Sequence, residues 1–118
     1  MAKYMISFGA NAMDHIPAED MPAVAAAAHS VVQEIVNAGV YVVAGAIDER
    51  KSSVVATDGA VSDGSELREI SGLTIIDVPT YEEALAWAAK IAVACRCAQD
   101  VRAIGPDPAL DAMLGHSS

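Results

Sequence analysis

Residues 73–95 read LTIIDVPTYEEALAWAAKIAVAC, an alternating run followed at once by a longer apolar run with helical spacing. The first six residues alternate as in a β-strand. Thr80 and Glu83 then form a capping box, in which the threonine side chain caps the first turn of a helix. Apolar residues behind the box recur every three or four positions. We therefore expect a strand that leads directly into a helix packed on a sheet.

The amino-terminal part of the chain encodes a similar unit. Residues 3–8 alternate as a strand. A helix begins near Asp20, a suitable N-cap, and ends before Gly39, which favours a helix C-terminus. Residues 40–47 follow as a strongly apolar strand. The two units predict helices that cover one face of a shared sheet.

A hairpin lies between the two units. Residues 53–57 and 60–62 are short strands, and Asp58-Gly59 between them is a two-residue turn signal. Residues 100–104 supply a last strand. The order β-α-β, hairpin, β-α-β predicts an α+β fold of the ferredoxin-like β-α-β-β-α-β type with an extra hairpin.

The strands are apolar on both sides, although two helices cover only one face of such a sheet. We therefore expect the other face to be buried by self-association. Residues 1–105 form one predicted domain. Gly105-Pro106 ends the regular structure, and residues 106–118 are predicted to be a C-terminal tail.

Composition narrows the classes of partner. The chain has 118 residues, of which 53% are hydrophobic, and a formal net charge of −9. Binding to a phosphate backbone needs clustered basic residues, so we expect no nucleic-acid partner. No apolar run reaches the roughly 18 to 20 residues of a membrane span. The first residues lack the features of a signal peptide, which predicts a cytoplasmic protein without membrane contact.

We expect neither a metal nor a cofactor. Cys95 and Cys97 are two residues apart, point to different sides of a helix, and lack a second pair of ligands for zinc. They are predicted to be free thiols. There is no glycine-rich phosphate loop.

His29 is the most informative candidate for chemistry. It falls at the edge of the apolar stripe of the first helix, and histidine exchanges protons near neutral pH. It is either a general acid or base, or a helix histidine bonded to backbone at a packing boundary. Asp63, before Gly64, is either a carboxylate partner or a turn residue.

Short motifs follow one another in a characteristic order over residues 3–104. They are Lys3-Tyr4-Met5-Ile6, Gly9, Pro17-Ala18-Glu19, the helix with His29, Ala38-Gly39-Val40, Val43-Ala44-Gly45, Asp58-Gly59, Asp63-Gly64, residues 71–78 and residues 82–88. In this order they resemble the YCII-related family, including its DGPF-domain branch.

The resemblance implies a homodimer joined sheet to sheet as a dimeric α/β barrel, with one cleft in each subunit. It also implies that His29 and Asp63 are the active-site pair, as their counterparts are proposed to be in the family. A few relatives are dehydrochlorinase-type lyases acting on aromatic ring compounds. The chain departs from the family where Ser65-Glu66 replaces Pro-Phe after the Asp-Gly motif. Asp58, in the other Asp-Gly pair, is the alternative carboxylate.

The favoured prediction is a cofactor-independent lyase or isomerase acting on a small organic molecule. His29 would transfer the proton, and Asp63 would orient its imidazole ring. Two alternatives are a non-catalytic dimer that binds a small ligand or regulates a partner, and a cofactorless quinol monooxygenase, which only fold analogy supports. Further residues are expected to contact the substrate: Tyr4, Phe8, Ser65 and His15.

Overall fold

The computed structural model describes residues 2–48, 52–64 and 70–115. Its strands are β1 (Ala2–Phe8), β2 (Tyr41–Ala46), β3 (Ser53–Val55), β4 (Val61–Asp63), β5 (Gly72–Val78) and β6 (Asp100–Ala103). Its helices are α1 (Met21–Asn37), α2 (Tyr81–Cys95) and α3 (Pro108–Met113). The fold is therefore mixed α+β, as predicted.

Four strands form one antiparallel sheet in the order β2-β5-β1-β6. β1 and β5 occupy its centre, and their register pairs Ile6 with Thr74 and Phe8 with Gly72. β3 and β4 pair only with each other, in a separate two-stranded sheet. The hairpin is thus built outside the main sheet.

The core lies between the main sheet and the helices α1 and α2. The side chains that are buried most completely are Ile6, Ile35, Ile76 and Val78, which come from β1, α1 and β5. An ion pair of 2.8 Å between Lys90 Nζ and Glu34 Oε1 also joins α2 to α1. The Cα atoms extend over 46 × 42 × 19 Å. The short dimension fits one sheet covered by one layer of helices.

The opposite face of the sheet carries apolar side chains. Met5, Leu73 and Ile75 lie there half-buried, and Val43 beside them is 43% exposed. The radius of gyration is 16.2 Å, against about 13–14 Å for a compact chain of this size. The molecule is therefore less compact than is usual for a chain of this length.

The predicted helix cap is confirmed, whereas the hairpin turns at the predicted place with a longer loop than the predicted two residues. The backbone N–H of Glu83 donates to Thr80 Oγ1 at 3.2 Å, so the threonine caps α2. The N–H of Ala56 donates to the carbonyl of Ala60 at 2.8 Å, which leaves three residues, 57–59, in the loop. The strands β3 and β4 therefore stop short of the predicted turn. Gly59 closes this turn with φ of 88°, a conformation that glycine adopts without steric cost.

The C-terminal segment departs from the prediction of a tail without regular structure. Helix α3 forms there, with Pro108 as its first residue. The Asp107 carboxylate accepts a hydrogen bond of 3.0 Å from the Leu110 N–H and so caps the helix. An Asp-Pro pair is a helix start signal, because proline fixes a helical φ where its missing N–H is not needed. Among the described residues, no helix is long and apolar enough to cross a bilayer.

Candidate functional site

A cleft of about 340 Å³ lies where α1 passes over one end of the main sheet, beside the end of α2. We call it the helix–sheet cleft. Most of its wall is apolar, and its residues come from the loop after β1, from both long helices, from three strands and from the segment between α2 and β6. They are Phe8, Met13, Met21, Val24, Ala25, Ala28, His29, Val31, Val32, Tyr41, Ala44, Gly45, Ala46, Gly72, Leu73, Thr74, Ile91, Cys95 and Gln99.

His29 is part of the wall of this cleft. It stands on α1, four residues after Ala25 and three before Val32, which line the same wall. The residue is exposed to solvent, so the cleft is open beside it. The histidine at the edge of the apolar stripe is therefore in contact with both the solvent and the cleft, as its position in the sequence suggested.

The polar groups of the cleft are few. The lining described above contains no Asp, Glu, Lys or Arg. Its other polar side chains include Tyr41, Thr74 and Gln99. The Tyr41 hydroxyl accepts a hydrogen bond of 3.2 Å from the Ala44 N–H, which ties the phenol to its own strand.

The floor of the cleft includes a close pair of residues on neighbouring strands. Phe8 at the end of β1 is opposite Gly72 at the start of β5. A Cβ atom on Gly72 would lie only 2.5 Å from Phe8 Cε1. The phenylalanine ring therefore occupies the space over the backbone that a side chain at position 72 would need.

Tyr4 shares a strand face with Phe8 but lies at the other end of β1. Its side chain is 7% exposed and belongs to the core, where its ring centroid is 5.9 Å from that of Tyr81. Of the two aromatic residues predicted on β1, Phe8 is in the cleft lining and Tyr4 is not.

Asp63 lies on the small hairpin. It is the last residue of β4, is exposed, and pairs with Ser53 of β3. Within the described ranges, no hydrogen bond or ion pair joins it to His29, and it is not part of the cleft lining. The predicted orienting contact is therefore not formed in this structure. Ser65, the other candidate from this region, lies outside the described residues.

His15 has a structural partner away from the cleft. Its Nε2 donates to the carbonyl of Arg96 at 2.7 Å, since a carbonyl only accepts. The Arg96 guanidinium in turn donates to Asp20 Oδ2 at 3.0 Å. Asp20 occupies the predicted N-cap position of α1, but its side chain makes no capping bond. His15 thus helps to join the first loop to the end of α2, whereas Met13 of that loop lines the cleft.

Both cysteines are free thiols, and Cys95 lines the cleft. Burial raises the pKa of the Cys95 thiol, and the nearby Cys97 raises it further. Burial also raises the pKa of Cys97, against the effect of a hydrogen bond from Gln99. A thiol is a weak nucleophile without its thiolate, so neither cysteine is activated. Within the described ranges, no group of three or more His, Cys, Asp or Glu side chains is placed to hold a metal ion.

Several cleft residues were not anticipated from the sequence. Tyr41 begins β2 and Gln99 directly precedes β6, and at such positions no local pattern distinguishes a cleft residue from a surface residue. The role of Gly72 in the cleft is visible only when its cross-strand partner Phe8 is known. The sequence alone does not give this pairing, because strand register is a property of the folded sheet.

Comparison with known proteins adds no relative: no family model matches the chain, and no curated protein matches it either. The resemblance to the YCII-related family stays a prediction.

Proposed function

We propose that this protein binds a small organic molecule in the helix–sheet cleft and transfers a proton to or from it through His29. The observation that carries this proposal is the position of His29 in the wall of an apolar cleft. An imidazole there can meet a bound molecule directly, and an imidazole can both accept and donate a proton. General acid or base catalysis needs this proximity before any tuning of acidity.

The composition of the lining restricts the ligand. A charged group buried in an apolar site without a partner is strongly disfavoured. Since the described lining offers no carboxylate, ammonium or guanidinium group, the ligand is uncharged or carries one acidic group beside His29. The cleft volume of about 340 Å³ falls at the lower end of the roughly 300–1,000 Å³ typical of ligand pockets. A molecule of one or two rings fits these limits.

The reaction in this proposal is lyase- or isomerase-like and needs no cofactor. His29 takes a proton from an acidic carbon of the ligand, and the electron pair left behind expels a leaving group or shifts a double bond. The separation of Asp63 from His29 favours a second candidate, which is binding without turnover. When no other group holds the ring of a catalytic base, the base is less precisely oriented toward its substrate and accelerates the reaction less.

We further propose that the chain adopts the ferredoxin-like arrangement and dimerises through the open face of its sheet. The strand order β2-β5-β1-β6 and the two helices on one face support the arrangement. The apolar open face supports the dimer.

Sedimentation equilibrium tests the dimer. We expect twice the chain mass for the native protein and the chain mass for Ile75→Glu, which puts a charge at the centre of the open face. A native protein that sediments as a monomer at micromolar concentration would contradict it.

Ring opening of nitrobenzisoxazole tests the proton transfer. A base removes the proton on the ring carbon, a nitrile forms, the N–O bond breaks, and a coloured phenolate is released. We expect measurable turnover by the native protein. His29→Gln should lower kcat/KM by about a hundredfold, the lower end of typical general-base contributions.

Two variants serve as controls. His15→Gln removes the other described histidine but keeps a donor for the Arg96 carbonyl, and it should retain native activity. Asp63→Asn should also retain activity, because that side chain lies outside the cleft. Turnover unchanged in His29→Gln would refute proton transfer at this residue. Saturable binding of the probe without turnover would favour the non-catalytic candidate.

A further inference from the structure

The pair formed by Phe8 and Gly72 links the packing of the sheet to the size of the cleft. The two residues are directly opposite each other on β1 and β5, and both line the cleft. The Ser71 N–H donates to the Phe8 carbonyl at 2.8 Å, which fixes the two backbones beside each other. The strands therefore cannot separate easily to admit a larger side chain.

The ring of Phe8 is placed where it is because position 72 has no side chain. A Cβ on Gly72 would meet Phe8 Cζ, Cε1 and Cε2, at 2.5 Å and 3.3 Å for the last two. All three atoms are at the far end of a side chain, so the ring can move while the backbone stays in place. Phe8 also packs against the hydrophobic core. A displaced ring would therefore move into the cleft, which is the open space beside it.

We propose that Gly72 is a specificity-determining position, which sets the size of ligand that the helix–sheet cleft accepts by letting the ring of Phe8 lie over the backbone of β5. This inference rests on the proposed binding function of the cleft. Gly72 acts through Phe8 and touches no reacting atom. Any side chain at position 72 pushes the aromatic ring into the cleft and excludes the larger of two related ligands.

Benzene and naphthalene are suitable probes, because both are uncharged, apolar and free of acidic groups. Their binding is therefore independent of proton transfer at His29. The affinities are measured by ligand-observed NMR titration of the native protein and the variants. We expect the native protein to bind both, with naphthalene the tighter ligand because it buries more apolar area.

Gly72→Ala should weaken naphthalene relative to benzene by about tenfold or more. Gly105→Ala is the matched control, since a Cβ there meets nothing within 4 Å and the residue lies outside the cleft lining. It should keep the native ratio of affinities. The double variant Gly72→Ala/Phe8→Ala should recover naphthalene binding, which a general loss of structure at position 72 would not allow.

The outcomes separate this inference from the proposed function. If the native protein binds the probes and Gly72→Ala keeps the native ratio, the role of Gly72 is refuted while the binding cleft stands. A double variant that still rejects naphthalene would refute the role of Phe8 as the obstacle. Should Gly72→Ala fail to fold, the double variant decides, and a native ratio there supports the inference. A native protein that binds neither probe would overturn both proposals.

Discussion

The two residues predicted to act together, His29 and Asp63, lie in regions of different construction. His29 stands on α1, a helix of 17 residues that places Val24, Val31 and Ile35 in the core. Asp63 ends β4, a strand of three residues that are all exposed and that pairs only with β3. The helix is held by tertiary packing, whereas the hairpin depends on its own ladder and turn. A functional site needs side chains that the surrounding structure holds in place. Of the two residues, His29 is therefore on the more firmly held element.

Substitutions in the two regions should differ most in their effect on the free energy of unfolding. Ile35 of α1 is completely buried, whereas Val55 of β3 is 65% exposed. Ile35→Ala leaves a cavity and should lower the free energy of unfolding by about 3 kcal/mol. Val55→Ala should change it by less than about 0.5 kcal/mol. Urea denaturation of both variants provides the measurement, and equal losses would show that the hairpin is as tightly integrated as α1.

A smaller effect concerns the thiols at the end of α2, next to the cleft. Because burial raises the pKa of Cys95, less thiolate is present at a given pH than in an exposed cysteine. In the Cys97→Ser variant, iodoacetamide should therefore react with Cys95 more slowly than with free cysteine at the same pH. The rate should rise as the pH increases above the range in which an exposed thiol ionises.

The same shift has a consequence for stability, and its sign follows from linkage. A thiol whose pKa is higher in the folded state holds its proton after the unfolded chain has lost it. The stabilising contribution is complete at neutral pH and is lost as the pH rises from the unfolded value to the folded value. Native Cys95 that is alkylated as rapidly as free cysteine at neutral pH would contradict the raised pKa.

Local signals predicted much of the fold. The Thr80 cap and the turn at Asp58-Gly59 depend on residues three or fewer positions apart. The cap is confirmed, and the turn forms at the predicted place but with three loop residues instead of two. The helix α3 carried such a signal in Asp107-Pro108, but Gly105-Pro106 just before it was interpreted as the end of regular structure. The same few residues can end one element and start another.

The candidate site was harder to predict, because a cleft is made by residues distant in sequence. Alternation places Tyr4 and Phe8 on one face of β1, yet it does not tell which end of the strand reaches the cleft. The partner of Phe8 is Gly72, which strand pairing alone reveals. The edge position of His29 was visible from the helical repeat, and that part of the site lies where the sequence suggested.

Chemical-shift mapping with naphthalene is the most direct test of where this protein binds a ligand. Backbone amide and ring signals would be followed during the titration, with the hairpin as the internal reference. We predict changes concentrated at His29, Phe8 and Gly72, and unaltered signals at Val61 and Asp63. Changes concentrated in the hairpin, with no shift at His29 or Phe8, would contradict a binding site in the helix–sheet cleft.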